Sequence, residues 1–323
     1  MTERLNYIDR LKGVAMLMVV IGHLILYSFK NANGNPIFAV CETTEMMLFS
    51  FLSGFVVTSM SFCKMLKKMP QLLLPMITVG LMYTFYSNKS LEDFIYSPFK
   101  HGYWYFLFLF YCYLCLCIIN KFSFHFESKL LNLTQDFIWL AIFYTIIKFL
   151  RALLGISWDE DILSFSQFTG FWPYFMLGVI TRKYAIVEWL KANNHIFSIA
   201  LVLYPVFVYL YCTKGYIYMH MAALSSIVLL MYLFSKRERT NSKVDNVLGY
   251  VGKSSIDVYL FHFFFLNAIN LQFVGQMIDR THNYFLQLLF LITLALFLAH
   301  ITILIGQLLR KSKMLSFAIY GKA

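Results

Sequence analysis

Ten apolar runs, each about as long as a helix that bridges a hydrocarbon layer, divide this chain near residues 12–30, 40–60, 70–88, 102–120, 136–154, 166–182, 195–213, 216–235, 249–271 and 284–309. In lipid a spanning segment must satisfy its own backbone, so runs of this kind fold as helices. The connectors are short and leave no room for a sizeable soluble domain. Residues 1–323 therefore read as one integral-membrane domain, an all-α polytopic bundle of about ten transmembrane helices in the lipid bilayer. Composition agrees: 60% of residues are hydrophobic and 13% charged, against about half and a quarter in soluble domains. Aromatic residues reach 19%, and a water-soluble fold of this size has no interior large enough for so much apolar surface.

The formal net charge of +11 follows from topology and does not indicate nucleic acid. With the N-terminus in the cytoplasm, 19 Lys and Arg fall on the inner side and 7 on the outer, and Lys253 inside a span completes the 27. Arg4, Arg10, Lys64, Lys67, Lys68, Arg239 and Lys322 are among the inner residues. This split supports an even number of spans with both termini cytoplasmic. The first run looks like a signal peptide at its start, but it carries His23 and ends in Tyr27-Ser28-Phe29-Lys30 without a persuasive cleavage site. It reads as a retained helix. The six cysteines mostly lie in or beside apolar stretches without a ligand-spaced partner set, so they read as buried thiols and no metal site is expected. No internal repeat is evident. Gly249-Tyr250-Val251-Gly252-Lys253-Ser254 ends like a phosphate loop but lacks the first glycine and the preceding strand.

Ionisable groups inside spans are costly, so each is a functional candidate. Lys12 and His23 are eleven residues apart, within about 20° of full register on one helix face and about 16 Å apart along the axis. An imidazole near mid-membrane can take a proton from a weakly acidic hydroxyl. A cation at the cytoplasmic mouth suits a phosphorylated co-substrate. Asp9, one turn before Lys12, is placed to orient it, or to make a simple surface pair. Glu45 is a further buried candidate, able to polarise His23, to bind a hydroxyl, or to end a helix facing water. His262 lies in the middle of the ninth span after Tyr259. Asp257 is expected to pair with Lys253 or to line a cavity, while Trp104 and Trp172 fit an interfacial aromatic belt.

The stretch Tyr7-Ile8-Asp9-Arg10-Leu11-Lys12-Gly13, followed by Val19-Val20-Ile21-Gly22-His23, resembles the opening of the bacterial integral-membrane acyltransferase-3 family. Four further landmarks come in matching order: Phe51-Leu52-Ser53-Gly54-Phe55, Trp104-Tyr105-Phe106, Tyr174-Phe175-Met176-Leu177-Gly178 and Ile256-Asp257-Val258-Tyr259-Leu260-Phe261-His262. The resemblance spans nearly the whole chain and implies a ten-helix enzyme of the bacterial inner membrane. Such an enzyme moves an acyl group, usually acetyl from acetyl-CoA, onto a hydroxyl of a sugar or glycan. It implies that His23 is catalytic and that Lys12 assists acyl-CoA handling. Where the family carries an Arg-x-x-Arg pair, this chain reads Lys67-Lys68-Met69-Pro70-Gln71, so the second arginine is lost. Lys64, Lys67 and Lys68 remain as a basic cluster suited to CoA phosphates, or as a positive-inside anchor. Relatives often have a His where this chain has Glu45.

The resulting expectation is a membrane O-acyltransferase with His23 and Glu45 catalytic. Lys12, Lys64, Lys67 and Lys68 are placed on acetyl-CoA, the co-substrate. Asp9, Ser53, Trp104, Tyr259 and His262 are placed on a cell-surface glycan or its lipid-linked precursor. The competing expectation is a proton-coupled transporter that uses His23, Glu45 and His262 as a relay.

Overall fold

A computed structural model describes residues 5–57, 59–157, 160–237, 242–268, 271–281 and 283–322. Arg4 and Arg239 of the inner-face count lie outside them. The first part of the chain forms α1 (Asn6–Ser28), α2 (Pro36–Glu42), α3 (Glu45–Val56), α4 (Phe62–Tyr86), α5 (Leu91–Tyr96) and α6 (Trp104–Phe122). Then come α7 (Lys129–Leu153), α8 (Phe165–Lys183), α9 (Ile186–Ala192), α10 (Asn194–Lys214) and α11 (Ile217–Lys236). The last part holds α12 (Lys243–Lys253), α13 (Ser255–Ala268), α14 (Leu271–Asp279), α15 (Tyr284–Leu309) and α16 (Lys313–Tyr320). Among the described residues there is no strand.

Each of the ten expected runs overlaps a helix. Six spans are long and apolar enough to cross a membrane: α1, α2 with α3, α6, α10, α11 and α15. The pair α13 and α14, bent by 85°, makes a seventh if counted as one span. The expectation of ten is thus not matched by ten apolar spans, and the reason is polar content. Helix α4 carries three lysines and two internal prolines, and α7 carries Asp136, Lys148 and Arg151. Helix α8 holds Gln167, Thr169 and Pro173.

The chain separates into two compact units, one of residues 1–52 and 184–306, the other of 53–183 and 307–323. The first unit is built on α1. Gly13 lies so close to the Leu248 carbonyl of α12, and Gly252 of α12 so close to the Asp9 carbonyl, that a Cβ at either position would overlap backbone. Small residues let two helix backbones touch where lipid offers no hydrophobic drive to association. Arg10, 4% exposed, fixes the same end through a 3.2 Å ion pair with Asp245. At the other end Gly275 of α14 packs directly on Ser28. The apolar face between them, Leu11, Met16, Val20, Leu24 and Ile25, is fully buried.

The second unit packs α4, α6, α7 and α8 through aromatic rings. Trp172 is fully buried, stacks between Phe168 and Phe175 with centroids 5.2 and 6.0 Å away, and donates from its indole N–H to the Leu140 carbonyl at 3.1 Å. Trp104 is also interior and stacks on Phe171 at 4.9 Å. Neither belongs to an interfacial belt, because aromatic neighbours on α6 and α8 cover both faces. Lys183 reaches Asp136 at 2.7 Å, an ion pair joining α8 to α7 that the sequence did not flag.

Candidate active site

The five landmark segments resolve into two clusters, one in each unit. In the second unit Ser53, Gly54 and Phe55 each contact another landmark or its helix. The Ser53 hydroxyl pairs with Tyr105 Oη at 2.9 Å. Gly54 sits against the Phe175 carbonyl, where any side chain would overlap it. The Arg182 guanidinium lies 5.4 Å from the centre of the Phe55 ring. Tyr105, which the sequence reading quoted only as part of its segment, is thus the partner of Ser53.

In the first unit the landmarks of α1 and α13 meet. His23 Nδ1 and His262 Nε2 are 3.2 Å apart, although 239 residues separate them in sequence. His262 is fully buried, and its Nδ1 lies 2.9 Å from the Val258 carbonyl and 3.0 Å from that of Tyr259. A carbonyl oxygen only accepts, so His262 Nδ1 must carry the proton. A neutral imidazole has one N–H, which leaves His262 Nε2 as an acceptor. The proton between the rings therefore belongs to His23 Nδ1. His23 Nε2 is left with a free lone pair. This is the arrangement a general base requires, with a second group holding the ring and its tautomer. Phe263 closes one side, with its ring 4.6 Å from that of His23. Half-buried His23 is thus held with its ring against α13.

Helix α1 runs unbroken from Asn6 to Ser28, so half-buried Lys12 stands about 16 Å along the axis from His23. Asp9 is buried beside the α12 crossing. Tyr259 is half-buried, with its ring 6.4 Å from that of His262. Asp257 is not paired with Lys253. The carboxyl is fully buried against Gly306, while the ammonium is exposed.

The helix is interrupted by a turn at Thr43 and Thr44, between α2 and α3, just before Glu45. Glu45 Oε2 is buried, has no hydrogen-bond partner, and lies 3.0 Å from where a Cβ of Gly22 would stand. The carboxyl thus rests on the glycine next to His23, while the ring itself is oriented by His262. Three residues earlier Glu42 accepts a 2.5 Å hydrogen bond from Tyr211 Oη of α10.

The basic cluster of the second unit lies at the start of α4. Lys64 Nζ donates to Ser59 Oγ at 3.1 Å, Lys67 is exposed, and Lys68 Nζ stands 4.9 Å over the Tyr113 ring. Of the six cysteines, all free, Cys63 and Cys212 are exposed, because the helix faces that carry them lack a protein neighbour.

A family model described as an acyltransferase domain matches residues 5–304. The chain belongs to the acyltransferase-3 family. The match takes in both landmark clusters and the whole of α1 to α14, and it ends inside α15. With its several apolar helices, this acyltransferase is a multi-pass membrane protein. No curated protein and no solved structure matches the chain.

Proposed function

We propose that this acyltransferase carries an acyl group, acetyl in the first instance, from acyl-CoA to a hydroxyl of a cell-surface glycan or its lipid-linked precursor. The observation that carries this reading is the His23–His262 pair, which presents an unprotonated Nε2 inside a membrane helix bundle. In the proposed reaction His23 Nε2 takes the proton of the acceptor hydroxyl as its oxygen attacks the thioester carbonyl. The C–S bond then breaks, and the imidazolium returns the proton to the departing CoA thiolate. The products are the ester and free CoA thiol. His262 acts by holding the His23 ring, and Glu45, beside Gly22, by receiving the acceptor. Lys12 faces the donor side. The proposed setting is a bacterial inner membrane with Lys12 toward the cytoplasm, the orientation that places the inner cations where acyl-CoA is found.

The test is release of thiol from acetyl-CoA by the purified protein with a glycan acceptor present. A His23→Ala variant with unchanged circular dichroism is expected to lose release by about 10² to 10⁴-fold, the usual contribution of a general base. Undiminished release would remove His23 from the chemistry. Acceptor-independent proton flux in liposomes, without any CoA turnover, would instead favour the relay of a transporter.

A further inference from the structure

Helix α16 and the residues after it lie beyond the segment matched by the family, and they fold back onto α4 within the second unit. Two caps define the helix. The Ser312 hydroxyl accepts from Leu315 N–H at its start, and Gly321, at φ +63°, closes it with an N–H bond of 2.8 Å to the Phe317 carbonyl. A left-handed residue at this position is the usual glycine helix stop. The Thr78 hydroxyl of α4 donates to the Ala318 carbonyl at 2.8 Å, and Arg310 packs over the Tyr320 ring at 4.2 Å. Gly321 itself lies against the backbone of Pro70 and Gln71, too close for any Cβ. The next residue is Lys322, which comes near enough to Lys68 for the two like charges to repel.

Lys64, Lys67 and Lys68 lie within one turn and share one side of α4. Among the described residues none of these three, nor Lys322, makes an ion pair with a carboxylate. Helix caps, a threonine bond and a glycine contact thus hold Lys322 near Lys68, on the turn of α4 that also carries Lys64 and Lys67. Lys322 and Lys68 repel each other at close range, and an anion with several charges bound beside them removes that cost. Lysine is a compact point-charge donor suited to phosphate.

We infer that Lys322, delivered by the docking of α16 on Pro70–Gln71, completes a polyphosphate-binding site with Lys64, Lys67 and Lys68. Its ligand is the phosphate portion of the acyl-CoA donor, an assignment that rests on the function proposed above. Anionic lipid headgroups offer the same chemistry, so the test must separate the two sources.

The full-length protein is reconstituted in nanodiscs of phosphatidylcholine alone, and binding of CoA and of inorganic pyrophosphate is measured by calorimetry at two salt concentrations. Lys322→Gln is expected to raise the Kd for both probes about three- to fivefold, the size of one exposed charge pair. It should also flatten the salt dependence. Lys322→Arg should keep the original affinity, and Lys313→Gln, on the same helix but outside the cluster, should change nothing. In a second arm phosphatidylglycerol is added and its retention is read by native mass spectrometry. If Lys322→Gln lowers retention of that lipid and leaves both soluble probes unmoved, the site belongs to a headgroup and the nucleotide assignment is overturned. If no probe responds, the site itself is overturned. A Lys322-dependent pyrophosphate affinity in a protein that never binds CoA would keep the phosphate site and reject acyl-CoA as the donor.

Discussion

His262 Nε2 accepts a hydrogen bond from His23 Nδ1 across 3.2 Å, and its own Nδ1–H is committed to two backbone carbonyls. The carbonyls of α13 thus choose the tautomer of a ring on α1. Replacing His262 removes the choice but leaves the base. His262→Ala is expected to lower kcat for thiol release by about 10- to 100-fold, as losses of an orienting partner commonly do, with the KM for acetyl-CoA unchanged. His262→Gln, whose amide N–H₂ and oxygen can both engage, should recover part of it. Steady-state kinetics of the two variants check this, and an unchanged kcat in His262→Ala would remove the orienting role.

Glu45 keeps a buried oxygen without a partner beside Gly22. A buried polar atom left unsatisfied costs about 1–3 kcal/mol, so the fold gains nothing from this carboxyl. Glu45→Met is expected to raise the melting temperature while lowering acceptor-dependent turnover, a trade typical of functional positions. Thermal unfolding in detergent, measured alongside acceptor kinetics, checks both halves. A melting point that falls would mean that the carboxyl serves the fold.

Gly13 and Gly252 admit backbone oxygens of the facing helix where a methyl would stand. Gly13→Ala and Gly252→Ala must push α1 and α12 apart, and each is expected to destabilise by about 1–3 kcal/mol, the usual range for overpacking. Gly170, with nothing within 4 Å of its Cβ position, is the control, and Gly170→Ala should leave the melting temperature nearly unchanged. Thermal shift measured on the three variants decides this.

Lys100, ahead of α6, is 4% exposed and donates to the carbonyls of Ile95 and Asp161. Burial pulls its ammonium down from 10.5 to about 8, against a smaller opposing pull from Asp161. A cation with a folded pKa below its unfolded one leaves the unfolded chain holding more protons between those values. Stability then rises with pH from about 8 to 10.5. Lys100→Met should abolish that rise and raise stability below pH 8. Melting temperatures across that range read the effect, and identical pH profiles for the two proteins would refute it.

The sequence alone carried most of the local structure. An apolar run of about 20 residues can satisfy its backbone in lipid only as a helix, and His23 stood out because a lone imidazole in such a run is costly. The order of the five landmark segments carried the family. Side-chain partners were decided by tertiary packing, because a helical period states which residues share a face but not which helix that face will meet. The bond from His23 to His262, the pairing of Ser53 with Tyr105, the interior place of Trp104 and Trp172, and the approach of Lys322 to Lys68 all join segments 52 or more residues apart or bury rings between helices. Close backbone contacts accompany three of these, at Gly13 and Gly252 for α1, at Gly54 for Ser53 and at Gly321 for Lys322, while ring stacking holds Trp104 and Trp172. Where two helices cross is set by how closely their surfaces fit, and no single run of residues contains both surfaces.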